Sequence, residues 1–450
     1  MKLLSMLVAC WLANVVFLGS VSAHAADGSP VWTNYFNGTG GADDAATAIA
    51  VDAGGNVYVT GWSVGSGGNY DYLTIKYSAA GLPLWTKRFS SLGFYDQPNA
   101  LALDSSNNVY VTGTAFFNGG SGWDFLTIKY STDGVPIWTN RFNGTGNDDD
   151  GATSLRVDVS GNVYVTGYSV GSGSGYDFLT IKYSTSGVAL WTNRFNGTGN
   201  GSDGATGLAL DASSNVYVTG YSVGNGSGYD YATIKYSSAG VGLWTNRFNG
   251  AGNDNDQASA LALDASGNAY VTGFSTGSAS GYDYATIKYS TAGVPLWTNI
   301  FNGTANGNDS ANALAVDANG NVYVTGSLTS SGVDSDWATF KYSTAGVALW
   351  TNIFKGAANQ NDSPRTLKVD SGGNVYVAGS FYGSGSHSDG LTIKYSTTGA
   401  ALWTNVINNA ASLDDMVKAM ALDALGNVYV AGYSVVSDNN PDFVTIKYSG

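Results

Sequence analysis

The sequence predicts an all-β protein: a single eight-bladed β-propeller of four-stranded antiparallel blades, with the N-terminal strand completing the last blade. Three observations carry that prediction. Tryptophan recurs every 53 residues, at Trp32, Trp85, Trp138, Trp191, Trp244, Trp297, Trp350 and Trp403. The tyrosine of a Lys-Tyr-Ser motif recurs at the same spacing, from Tyr77 and Tyr130 to Tyr395 and Tyr448. Within each repeat the apolar runs are short, rich in Val, Ile, Leu, Thr, Tyr or Trp, and bounded by Gly, Asn, Asp and Ser. Such runs are strand signals, and self-similarity at about this period marks a solenoid, propeller or array.

Residues 1–25 differ from the rest. Lys2 opens an apolar stretch that ends in Ser22-Ala23-His24-Ala25, the pattern of a secretory signal peptide. Leu7-Val8-Ala9-Cys10 resembles a lipoprotein box, but few residues precede it and a long apolar stretch follows, so the signal-peptide reading is preferred. Beyond Ala25 no stretch approaches the roughly 18 apolar residues of a membrane span. The expectation is a propeller over residues 26–450 that is secreted, extracellular or on the cell surface, with the periplasm as the alternative.

Losing the leader removes Cys10 and His24, leaving no cysteine and only His387. No disulfide framework or Cys/His nucleophile pair can then be built. All 33 acidic residues are Asp, and the formal charge of −14 argues against nucleic acid or an anionic membrane as partner.

The third repeat shows the elements in order. Ser154–Asp158 forms strand A, Asn162–Gly167 strand B, Asp177–Tyr183 strand C and Leu190–Phe195 strand D. The A–B connection reads Asp-x-x-Gly-Asn and the C–D connection Ser-x-x-Gly; both predict type I turns ending in a left-handed residue. Asn107 is the next-best occupant of that last position, and Ser214 departs from the rule. Two tight hairpins joined by a longer loop make one blade. The A–B and C–D turns share one face, and the long B–C and D–A loops share the other.

Asp27-Gly28-Ser-Pro-Val-Trp32 matches Asp133-Gly134-Val-Pro-Ile-Trp138, so the mature chain opens inside a C–D turn with an unpartnered strand D. It ends at Thr445-Ile-Lys-Tyr448-Ser-Gly450, a strand C entering that turn. The two ends should complete one blade and close the ring, whereas an open solenoid wants capping repeats. Leu263-Asp-Ala-Ser-Gly-Asn-Ala-Tyr-Val-Thr-Gly-Phe-Ser275 and its sister copies resemble the bacterial SBBP repeat of secreted and surface proteins. That resemblance implies a propeller, seven blades where this sequence counts eight, no established activity and no catalytic residue.

Three Asp columns run through the repeats. The hairpin column, from Asp52 and Asp104 to Asp423, reads as turn-building. The column from Asp71 and Asp124 to Asp442, at the start of strand C, reads as turn-capping. The third is Asp44, Asp96, Asp150, Asp203, Asp256, Asp309, Asp362 and Asp415, just ahead of strand A. With A innermost, these carboxylates would ring the channel mouth and offer a calcium site, calcium taking carboxylate oxygens. The alternative is that each accepts amides of its own loop. Trp62, Phe116, Phe117, Trp123, Trp337, Phe381 and Tyr382 break the repeat pattern at or beside the B–C loops and are the candidate ligand-contact residues. The tryptophan column reads as inter-blade packing. The Lys of Lys-Tyr-Ser is expected either to pair with an Asp or to reach solvent.

No unique carboxylate pair marks a glycosidase, and the Gly-x-x-Leu-Trp hairpin lacks the Gly-Lys of a quinoprotein docking motif. The function expected is therefore a non-catalytic, monomeric binding scaffold for an extracellular protein or polysaccharide, with no cofactor beyond calcium. A purely structural adhesin-like or surface-layer spacer is the alternative, and a quinoprotein-like enzyme the rival from another class.

Overall fold

The computed structural model describes residues 27–65, 67–91, 95–117, 122–329, 334–357, 360–383, 387–408, 413–436 and 440–450. The expected signal peptide lies outside them. Thirty-two strands form eight four-stranded antiparallel sheets. Blades 1 to 7 span 44–89, 97–142, 150–195, 204–248, 256–301, 310–354 and 363–407. Blade 8 combines Asp415–Leu422, Val428–Val435 and Pro441–Tyr448 with the N-terminal strand Pro30–Phe36, which pairs antiparallel to Pro441–Tyr448. Strand A of blade 1 packs on strand A of blade 8, so the ring is closed.

The hairpins form because their side chains build the turns. Asp52 Oδ1 accepts the backbone amides of Gly54 and Asn56, and Oδ2 accepts the Asn56 side-chain amide and the Tyr58 hydroxyl. The last turn residue has positive φ, at 79° for Gly161, where a glycine carries no Cβ penalty. Asn107 and Ser214 adopt the same conformation, at 59° and 58°. Ser214 thus breaks the residue rule without breaking the turn.

Strand D lies outermost and strand A innermost: A strands meet one another around the ring. The tryptophan column is the joint between blades. Trp138 of blade 2 packs between Tyr110 of its own blade and Tyr183 of blade 3, ring centroids 6.0 Å away in each case. Its indole N–H donates to the Thr185 carbonyl at 3.1 Å, and Asn140 donates to that of Gly187 at 2.7 Å. A Cβ on Gly187 would lie 2.9 Å from the Trp138 ring, so glycine is required there for space as well as for its φ of 84°. The lysine column serves the same joint and does not reach for solvent. Lys129 is buried, donates to the Thr185 carbonyl at 3.1 Å, lies over the Tyr110 ring and stands 3.8 Å from Asp104. Ring closure repeats the device: Trp403 meets Tyr448, and Asn405 donates to the Gly28 carbonyl at 2.5 Å.

Apolar clusters fill the spaces between blades. One joins Tyr110 and Phe125 of blade 2 to Leu155, Val163, Val165, Leu179 and Ile181 of blade 3. Each fully buried aliphatic side chain there contributes about 1.5–3 kcal/mol. Strand A carries a bulge near its middle, between Ala152 and Ser154 in blade 3. The bulged Thr153 donates to the Ala205 carbonyl of blade 4 at 2.8 Å, and Thr47, Asn99, Thr206 and Asn312 make the equivalent bond.

Candidate functional site

The third Asp column does not ring the channel mouth. All eight carboxylates are fully buried, at 0% exposure, each inside its own blade. Asp203 Oδ2 accepts the Gly197 amide at 2.5 Å and Oδ1 the Val223 amide at 2.8 Å, tying the D–A loop to the end of strand B. Asp44, Asp150, Asp256, Asp309 and Asp362 make the same pair of bonds to their own blades. Asp96 accepts Ser91 and Phe116 amides. Burial pushes the Asp203 carboxyl up from its ordinary value, against the lowering effect of the Gly197, Ser222 and Val223 donors. Among the described residues no three His, Cys, Asp or Glu side chains come together as a metal-ligand group. The physical reason is that unpaired loop amides beside each Asp claim its oxygens before any shared ligand can.

Three hairpin carboxyls, Asp52, Asp104 and Asp264, are held the other way. Burial raises Asp104, but the bonds from Asn108, Tyr110 and Ser106 outweigh it and keep the carboxyl below its ordinary range. The strand-C column pairs with arginines of strand D, which the sequence reading missed. Arg88 meets Asp71 at 3.0 Å, Arg141 meets Asp124 at 2.6 Å, Arg194 meets Asp177 at 2.9 Å and Arg247 meets Asp230 at 2.6 Å. The signal was legible: Arg stands three residues after the Trp in just those four blades.

The off-pattern aromatics separate into two groups. Trp337 and Phe381 are core residues, at 1% and 9% exposure, in one cluster between blades 6 and 7. Trp337 donates to the Ser380 carbonyl at 3.0 Å, and both rings pack on Phe354. Their columns explain it. Trp337 stands where Phe178 and Tyr231 are buried, and Phe381 lies in the blade where Gly390 leaves that column empty. These two are therefore not ligand contacts. Phe117 is half-buried under the Arg141 guanidinium, 4.2 Å from its ring centroid, and Tyr382 is half-buried beside its Asp362 bond.

Trp62, Phe116 and Trp123 stay on the loop face of blades 1 and 2. Trp62 packs on Tyr70 at 4.3 Å, Tyr70 on Tyr95 at 4.9 Å, and Phe116 on Trp123 at 5.7 Å. Trp123 is 38% exposed and donates its indole N–H to the Tyr95 carbonyl at 3.1 Å. Tyr70, Tyr95, Gln97, Thr114, Trp123 and Tyr168 line an open cavity of about 380 Å³. Four aromatic side chains there border the Gln97 amide and the Thr114 hydroxyl. Tyr70, Tyr95 and Tyr168 were not singled out from the sequence, because each sits in or beside an ordinary strand position. The aromatic pairs continue around the loop face as Tyr168–Tyr176, Tyr221–Tyr229 and Phe274–Tyr282.

The innermost strands hold a second feature outside the sequence reading. Arg156 and Lys368 occupy the place that Ala50, Ala102, Ala209, Ala262, Ala315 and Ala421 hold in the other blades. Blades 3 and 7 stand opposite each other in the ring. Both side chains reach water yet are enclosed by protein, as channel-lining groups are; burial lowers both, and the Arg156 charge further lowers Lys368. Arg365 and Lys418 stand at the bulge position used elsewhere by Thr, Asn or Ser, and Lys418 lies over the Tyr433 and Trp62 rings. Among the described residues none of these four cations has a carboxylate within ion-pair distance. His387 is half-buried beside Asp414, at 3.6 Å.

The family described as SBBP, a beta-propeller repeat, matches residues 84–116 and 297–330. The SBBP repeat is thus detected at two segments of the chain. Each matched segment runs from strand D of one blade through strand B of the next, so the SBBP unit spans the joint built on Trp85 or Trp297. No curated protein matches the sequence. Among solved structures, Drosophila plexin A in complex with semaphorin 1b is similar at a TM-score of 0.43 and 9% identity, covering 94% of this chain and 87% of that one. The beta-propeller domain of the trilobed protease from Pyrococcus furiosus scores 0.41 at 6% identity, covering 81% and 97%. A eukaryotic initiation factor scores 0.42 at 10% identity, covering 82% and 89%. All three similarities are remote, and none bears on what this chain binds.

Proposed function

We propose that this protein is a secreted or cell-surface binding scaffold that works without catalysis and takes a glycan on its loop face. The observation that supports this reading is the cavity of Tyr70, Tyr95, Trp123 and Tyr168 with Gln97 and Thr114 on its wall. Flat aromatic faces accept the apolar face of a sugar ring, while amide and hydroxyl groups satisfy its hydroxyls. The cavity rests on strands whose neighbours are fixed by the inter-blade joints, so little ordering accompanies binding. The leader at residues 1–25 supports export. An acidic surface with all carboxylates from Asp suits a soluble extracellular setting.

The test is a glycan array with residues 26–450 and its Trp123→Ala variant. The expected result is selective binding that falls tenfold or more in W123A, with an unchanged circular dichroism spectrum. Equal binding by both proteins would overturn the assignment of the cavity. A folded wild type that retains no glycan would overturn the ligand class and favour the structural-spacer reading.

A further inference from the structure

In blades 1 to 4 one cleft is filled by the chain's own guanidinium. Arg88 donates to the Ser63 carbonyl at 2.7 Å, the Ser63 hydroxyl at 2.7 Å and Asp71 at 3.0 Å. Arg194 repeats this on Ser169 and Asp177, and Arg247 on Ser222 and Asp230, all between 2.6 and 2.9 Å. The remaining blades replace that arginine, and most put another group beside the acid. In blade 6, where Ile353 takes the place, Lys355 supplies the cation, 3.9 Å from Asp336 and 3.4 Å from Asp334. In blade 7 Asn408 donates to Asp389 at 3.3 Å. In blade 8 the place belongs to Tyr35, whose hydroxyl feels Asp442.

Blade 5 differs. Ile300 stands where the arginine would be, and the residue aligned with Lys355 and Asn408 is Asn302, which bonds to Asn306 instead. The receiving groups are nonetheless kept. Ser275 aligns with Ser63, and Asp283, 5% exposed, aligns with Asp71. The Ser280 hydroxyl bonds to Asp283 Oδ2 at 2.9 Å, as Ser174 and Ser227 bond to Asp177 and Asp230 in the filled clefts. Oδ1 is left without a partner in all three; what blade 5 lacks is the guanidinium on Oδ2. Burial raises the Asp283 carboxyl, which a buried acid with no cation beside it requires. Where the guanidinium is missing, a cavity of about 550 Å³ opens, lined by Ser275, Gly277, Ser280, Asp283 and Ile300, with the Phe248–Ala251 stretch of the preceding blade. Gly277 keeps it clear: a Cβ there would lie 2.6 Å from Asp283 Oδ2.

We propose that this cavity binds a small organic cation carrying a guanidinium or primary amine, seated on Asp283 and Ser275 as the arginines of blades 1, 3 and 4 are seated on their counterparts. The clefts of Arg88, Arg194 and Arg247 act as internal precedents for both partners and geometry, and that of Arg141, where Ala115 replaces the serine, for the carboxylate alone. A guanidinium is a fork of donors that matches a carboxylate oxygen together with a carbonyl and a hydroxyl. Ile300 and Phe248 offer apolar contact to a short alkyl stem. The proposal is independent of the glycan reading, since the two cavities share no residue.

The probe is methylguanidinium, titrated calorimetrically into residues 26–450 at constant ionic strength, with N-methylurea as its neutral counterpart of the same shape. A ligand this small is expected to bind with Kd on the order of millimolar. N-methylurea should bind at least tenfold more weakly. Asp283→Asn should weaken methylguanidinium at least tenfold. Ile300→Arg should abolish binding and raise the melting temperature, because the variant fills the cleft from within. Equal binding of the cation and the urea, undiminished binding by I300R, or no saturable binding by a folded wild type would each overturn the proposal.

Discussion

Replacing Asp203 by alanine should cost this protein a large part of its stability, and the size follows from two bonds. The carboxylate accepts the Gly197 amide at 2.5 Å and the Val223 amide at 2.8 Å, in a site with no access to water. In D203A both N–H groups stay buried without an acceptor. Each such group costs about 1–3 kcal/mol, so the loss is about 2–6 kcal/mol. Relief of the carboxylate's own desolvation places the result toward the lower end. Against a typical total of about 5–15 kcal/mol, that is a large share. Asp203→Asn keeps one acceptor oxygen and should fall between. The assay is equilibrium urea unfolding followed by circular dichroism. The pH dependence adds a second check. Because burial raises the folded-state pKa of Asp203, the folded chain holds that proton more tightly than the unfolded chain. Its linkage therefore favours the fold at acid pH and is lost as pH rises through the folded value. The gap between wild type and D203A should widen as the pH falls. A D203A variant within about 0.5 kcal/mol of wild type would refute the reasoning, since surface substitutions behave that way.

Asp104→Asn should show the opposite pH signature. Its carboxyl is depressed in the folded state, so its contribution is present above the unfolded value of about 3.9 and lost as pH falls through the folded one. The stability gap between wild type and D104N, read by urea unfolding at several pH values, should therefore narrow on acidification. Lys368→Ala installs the residue that six blades already carry and removes a cation facing Arg156 across the channel. Its melting temperature should equal or exceed that of wild type, by differential scanning calorimetry. A clear drop would mean that Lys368 has a structural partner.

Much of this was legible in the sequence. A fixed spacing between Trp138, Trp191 and their fellows is a property of the joint itself: each tryptophan must reach the turn of the following blade. The match of Asp27–Trp32 to Asp133–Trp138 likewise announced that the N-terminal strand would pair with Pro441–Tyr448. The Asp203 column was harder, because one of its two donors, the Val223 amide, lies twenty residues away on a strand whose end meets the loop only after folding. Composition marks a carboxylate; it does not say which amides are short of acceptors. Trp337 and Phe381 stood out as departures from the repeat, yet departure was a response to packing, with Phe381 and Trp337 filling the cluster beside Gly390. Arg156 and Lys368 escaped notice because the bulge in strand A decides which side chains line the channel. The empty cleft at Ile300 needed the filled ones at Arg88, Arg194 and Arg247 for comparison.

The measurement that bears most directly on the central claim is a crystal structure of residues 26–450 with an oligosaccharide selected on the array. The account predicts a sugar ring stacked on Trp123 or Tyr70, with its hydroxyls on Gln97 or Thr114. A sugar seated on the turn face, or in the channel beside Lys368, with the Trp123 cavity empty, would contradict it.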